Sequence, residues 1–166
     1  MTSDSRMRTL GRVMEVGGYL ALMLCLIHAA MHLAARVSAG PVGAEGGLGM
    51  LNALFLGFID AMPLLFLING LAAMAALGAA YGRGEMFSAK NAKRIRSFGE
   101  ALAWAAAAVI VIQPTLLDWV GGASRGIAFN IDAAGLALAA GGIFTTAMAY
   151  AMQHAHALQT EHDSIV

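Results

Sequence analysis

Four runs of about twenty mostly apolar residues constrain this chain more than any other feature of it. They cover residues 16–35, 61–81, 98–119 and 133–152. A helix rises 1.5 Å per residue, so about 20 residues cross about 30 Å of hydrocarbon. In hydrocarbon every backbone amide must be paired internally, and a helix does this within one segment. A transmembrane barrel would alternate apolar and polar residues over short strands, whereas these runs are continuous. Only 12% of the residues are charged and 59% are hydrophobic, against about 25% charged in a soluble domain. An ordinary water-soluble globule and a disordered chain are both excluded. The expected fold is therefore all-α: one four-span domain over residues 1–166, arranged as an antiparallel helix bundle embedded in a lipid bilayer.

Charge placement orients the spans. Arg6, Arg8 and Arg12 precede the first, and Arg83, Lys90, Lys93, Arg94 and Arg96 separate the second from the third. The other connections hold only Arg36 and Arg125, so eight of the ten Lys and Arg residues fall on one side. The positive-inside rule places that side, with loop 82–97 and both termini, in the cytoplasm. Trp119 then meets the outer interface and Tyr81 and Tyr150 the inner one. The N-terminal arginines and apolar run also resemble a cleavable signal peptide. The run is too long for that and is followed by Arg36, which favours an uncleaved first helix. A formal net charge of zero gives no ground for direct nucleic-acid binding. The single cysteine, Cys25, can form neither an internal disulfide nor a cysteine-based zinc site.

The glycine-rich stretch 40–49 reads as a flexible outer loop. Residues 48–60 return to apolar character, either as an interfacial helix or as an outer extension of span two, with Pro63 bending any helix that runs through. The second outer loop, 121–132, is short. Ala137, Gly141, Thr145 and Ala149 recur every four residues in span four, as do Gly78 and Gly82 at the end of span two. Small-residue stripes let helices approach closely. They serve packing within the chain or, alternatively, a homo-oligomer face.

The inner loop has the most specific pattern, GRGEMFSAKNAKRIRSFGEAL from residue 82 to 102. Ser88 is placed to cap a helix that runs on into span three. At 100° per residue Asn91, Ile95, Phe98 and Leu102 share one face, and Lys90, Lys93, Arg94 and Ser97 form the opposite, solvated side. Asn91 on the apolar face needs a partner, expected from a backbone group in the preceding loop or at a neighbouring helix end. Gly84, Phe87, Ser88, Asn91, Arg94, Ile95 and Gly99 together resemble the inner-loop signature of a bacterial membrane family known as domain of unknown function 2975. The four spans and the chain length match that family too. The resemblance implies a multi-pass protein of the bacterial inner membrane with no known enzymatic activity. It also implies a cytosolic partner of the helix-turn-helix transcription regulator type. No residue role follows from it, and the motif's own residues are explained by helix capping and membrane docking.

Polar side chains within spans are costly and mark candidate sites. Counted from the ends of the runs, His28, Asn69 and Gln113 lie about 10, 12 and 9 Å deep in the outer half. They form an expected polar cluster with His32 above it. Its alternatives are mutual hydrogen bonding for rigidity and a pocket for a small ligand or metal. His28 and His32 are four residues apart and so share a helix face, but two histidines alone do not make a metal centre. A haem would need another histidine at matching depth, and His154, His156 and His162 lie beyond the inner end of span four in what reads as a solvated tail. No metal or cofactor is expected. Glu100 is expected to pair with Arg96 one turn before it. No nucleophile–base pair or phosphate loop is present to support an enzyme. The leading reading is a non-enzymatic regulatory or scaffold protein acting through its basic loop. The alternative is a small transporter or sensor built on the outer cluster.

Overall fold

The computed structural model describes residues 3–38, 46–85, 88–123 and 125–163. All regular structure among them is helical: α1 (Ser3–Ser38), α2 (Gly46–Gly82), α3 (Ala89–Ala107), a π-helical turn (Ala108–Ile112), α4 (Gln113–Gly121) and α5 (Ala133–Asp163). The π turn joins α3 and α4 into one continuous rod. Four helical rods are long and apolar enough to cross a membrane.

The rods exceed the apolar runs that announce them. Residues 48–60 extend α2 without a break, and Pro63 is accommodated inside a helix of 37 residues. α5 likewise continues through Asp163, so the backbone of the C-terminal histidines is helical, with His154 exposed. Hydropathy stops at the first charge, but backbone hydrogen bonding does not.

Glycines set the packing. At Gly11 an added Cβ would stand 2.8 Å from the carbonyl carbon of Tyr81, and at Gly78 it would stand 2.8 Å from the Gly11 carbonyl oxygen. The backbones of α1 and α2 therefore touch, as the small residues Gly78 and Gly82 allow. α3 meets α5 in the same way: a Cβ at Gly142 would lie 2.7 Å from the Ala103 nitrogen, and one at Gly99 would lie 2.7 Å from the Thr146 nitrogen. The seam on α5 is thus Gly142, Thr146 and the fully buried Ala149. Of the expected stripe of Ala137, Gly141, Thr145 and Ala149 it keeps Ala149 and replaces Gly141 and Thr145 by their neighbours Gly142 and Thr146, because Gly99 and Ala103 on the facing helix decide which residues can approach. α2 packs on α3 around Gly70 and a stacked Phe66–Trp104 pair with ring centres 6.0 Å apart.

The principal contacts run in chain order, α1 on α2, α2 on α3, α3 on α5. Among the described residues α1 has no comparable contact with α3 or α5. Of its described residues only Gly11 and Gly18 are buried, so a run of exposed apolar side chains from Val13 to Ile27 faces outward. That pattern suits lipid rather than water. The structure has two ends. A basic end carries the turn after α2 and the starts of α1 and α3. A far end carries Arg36, Asp60 and the α4–α5 connection.

Candidate functional site

At the basic end the chain reverses on a short, braced turn. Gly84 has φ +85°, a region that L side chains rarely adopt. Around it the Glu85 amide donates to the Ala80 carbonyl and the Gly84 amide to the Tyr81 carbonyl, both at 3.0 Å. This pairing closes α2 with a Schellman cap. Ser88 opens α3 from an extended conformation, its Oγ accepting from the Asn91 amide at 3.2 Å. Asn91 is completely buried. Its side-chain amide donates to the Glu85 carbonyl, and its Oδ1 accepts from Arg94 Nη1 at 3.0 Å. The expected loop partner of Asn91 is thus present, and it ties the cap of α2 to the first turn of α3.

Arg94 departs from its expected place. Instead of joining the solvated side with Lys90, Lys93 and Ser97, it turns toward Asn91. A guanidinium on a long stem can reach around the helix to a buried amide oxygen. Ile95 lies on the partly covered face, and Gly99 makes the α3–α5 crossing. Phe87, also in the motif, lies outside the described residues. In the exposed part of the turn, Arg83 Nε donates to Glu85 at 3.1 Å. This bond holds the Glu85 carboxyl below its usual pKa. The pair therefore contributes at neutral pH, and its contribution is lost as pH falls through that lowered value. Two turns into α3, Arg96 pairs with Glu100 at 2.7 Å, as expected, and lies over the Tyr150 ring at 5.0 Å.

The polar residues of the far half are arranged differently from the expected cluster. Gln113 donates to Asp60 Oδ1 at 3.3 Å, and Asp60 Oδ2 accepts from Arg36 Nε at 2.9 Å. This Arg36–Asp60–Gln113 node joins α1, α2 and α4. Asn69 is exposed and nine residues further along α2, about 14 Å from the level of Asp60. His28 and His32 are exposed on α1 and pack edge-to-face on each other with centres 4.4 Å apart. The expected cluster of His28, His32, Asn69 and Gln113 is therefore not brought together. Depths counted from the ends of apolar runs misaligned the helices, because α2 begins fifteen residues before the run does. The signal for the true node was Arg36 and Asp60, opposite charges flanking consecutive spans. Among the described residues no group of three or more His, Cys, Asp and Glu side chains could hold a metal.

Next to this node the α4–α5 connection folds back on the helices. Pro114 has no amide hydrogen, which leaves the carbonyl of Ile110 without its α-helical partner. The Asn130 amide supplies one at 2.8 Å. Thr115 Oγ1 donates to the Ala128 carbonyl at 3.1 Å and accepts from the Ala128 amide at 3.0 Å. Trp119 Nε1 donates to Gly126 at 2.9 Å, and Asp132 caps the start of α5 through the Gly135 amide at 2.7 Å. Backbone groups that leave a helix and pack against it need such partners. Substituting Thr115 with valine keeps the shape and removes both bonds. It is expected to cost about 1–3 kcal/mol and to speed amide exchange at Ala128 and Asn130 more than in α2.

Comparison of the chain with protein-family models, with curated proteins and with solved structures gave no match.

Proposed function

We propose that the protein is a multi-pass component of the bacterial inner membrane, with its basic end and both termini in the cytoplasm. In this reading the braced turn is a contact surface for a cytosolic partner, and the protein acts as a regulator or scaffold without enzymatic chemistry. The observation that carries the reading is Asn91. A fully buried amide bonded to Glu85 and Arg94 holds the turn in one shape while Lys90 and Lys93 stay exposed beside it. A preorganised surface loses less entropy when a partner docks. The excess of Lys and Arg at this end supports its cytoplasmic placement. The resemblance of the motif to domain of unknown function 2975 supports a helix-turn-helix regulator as the partner.

A photo-crosslinking side chain at position 83 or 93 of the full chain, in its own membrane, tests this. Cross-links to one cytosolic protein are expected at both positions and none at position 120. The N91A variant should lose most of them, since it strands the Glu85 carbonyl and Arg94 at a cost of about 1–3 kcal/mol. Cross-links unaffected by N91A, or found only at position 120, would overturn the reading.

A second reading, a transporter or ligand sensor, is favoured by one feature. Asp60 is only 14% exposed and is held by side chains from two other helices, a costly arrangement within a membrane protein.

A further inference from the structure

Below the braced turn, α3 and α5 leave two clefts between them that meet at Glu100. The upper cleft, about 520 Å³, is lined by Lys93, Arg96, Ser97, Glu100 and Gln153. The lower one, about 450 Å³, is lined by Glu100 and then by Trp104, Ile143, Ala147 and Tyr150. Polar, basic side chains thus give way to an apolar groove along one line. From Lys93 to Trp104 the line covers eleven residues of α3, about 16 Å.

The charges of the upper cleft do not cancel. Glu100 is occupied by Arg96 at 2.7 Å, and Arg96 is further fixed over Tyr150. Lys93 has no ion-pair partner among the described residues, so the cleft retains one positive charge. It stands at the end of the rods where headgroups meet water, with the groove running toward the acyl region. We propose that this cleft binds one anionic glycerophospholipid. Lys93 and Arg96 face its phosphate, Ser97 and Gln153 supply hydrogen bonds, and one acyl chain lies along Trp104, Ile143 and Ala147. A free phosphate would use only the upper half of the site. A choline headgroup would bring a second cation toward Lys93. The inference needs only that the rods span a bilayer; it shares Lys93 with the partner reading, but lipid retention tests it and cross-linking does not.

Native mass spectrometry of the full chain in detergent, titrated with phosphatidylglycerol, phosphatidylcholine or glycerol phosphate, provides the test. One phosphatidylglycerol is expected to be retained in preference to phosphatidylcholine, with glycerol phosphate competing poorly. K93Q should weaken phosphatidylglycerol binding about fivefold, the equivalent of about 1 kcal/mol for one interfacial cation. A147F, which fills the groove without changing charge, should weaken it comparably. K90Q, on the same helix outside the cleft, should not. Lys90, Lys93 and Ala147 are all exposed, so these variants leave the helix seams intact. Equal retention of the two lipids, an unaffected A147F, or a K90Q effect equal to that of K93Q would overturn the proposal.

Discussion

Replacing Gly78 with leucine is expected to detach α1 from α2. The new Cβ would stand 2.8 Å from the Gly11 carbonyl oxygen and 2.9 Å from the Met14 carbonyl carbon. Both are backbone atoms that no rotamer change can move, so relief requires the helices to part. Overpacking of a tight seam costs about 1–3 kcal/mol and more where backbone blocks it. The consequence here is large because, among the described residues, α1 has no second helix of comparable contact to fall back on. Spin labels at the exposed positions Leu20 on α1 and Ala72 on α2, in a C25S background, read the separation without entering the seam. The parent should give one short distance, and G78L should shift the ratio of close to separated helices about tenfold, equivalent to about 1.4 kcal/mol. The same substitution at Gly17, where a Cβ meets nothing within 4 Å, should leave the distance unchanged. Equal distances in the two variants would mean that the glycine crossing does not hold α1.

Removing Arg36 is expected to have the second-largest effect. R36L leaves the Asp60 carboxylate with Gln113 alone, at 3.3 Å. Stranding one member of a buried pair costs about 3–5 kcal/mol. Arg36 is 48% exposed, so about 2 kcal/mol is expected once solvent screening is allowed for. The double variant R36L/D60L should recover most of the loss, since two apolar side chains strand no charge. The double-mutant cycle by thermal unfolding in detergent measures the coupling. It also separates two roles for the node. If the double variant restores both stability and cellular output, Arg36 and Asp60 serve the fold. If it restores stability but not output, they serve a ligand. A neutral R36L would show that the pair contributes nothing to either.

What could be read from residues alone was mostly local. Ser88, the Arg96–Glu100 pair and the need of Asn91 for a backbone partner all follow from positions within two turns of each other, where helix geometry fixes who can meet. The far-half cluster failed for the opposite reason. His28, Asn69 and Gln113 lie on three rods, and their levels depend on how those rods slide against one another. Hydropathy located the apolar middle of α2 but cut it at Asp60. That cut removed the residue Gln113 bonds and shifted every depth counted from the end of the run. The stripe on α5 met the same limit: several rows of small residues share its surface, and Gly99 on α3 selects among them.

From its order of residues alone, this protein had to be four greasy rods with a capped basic turn. Each rod satisfies its own backbone, and a helix carries its caps within a few positions. Which faces meet, how far the rods are offset, and that Arg36, Asp60 and Gln113 converge were decided only by packing. Those outcomes depend on atoms far apart in the chain, where a glycine on one helix sets the approach of another and thereby the level of every side chain above it.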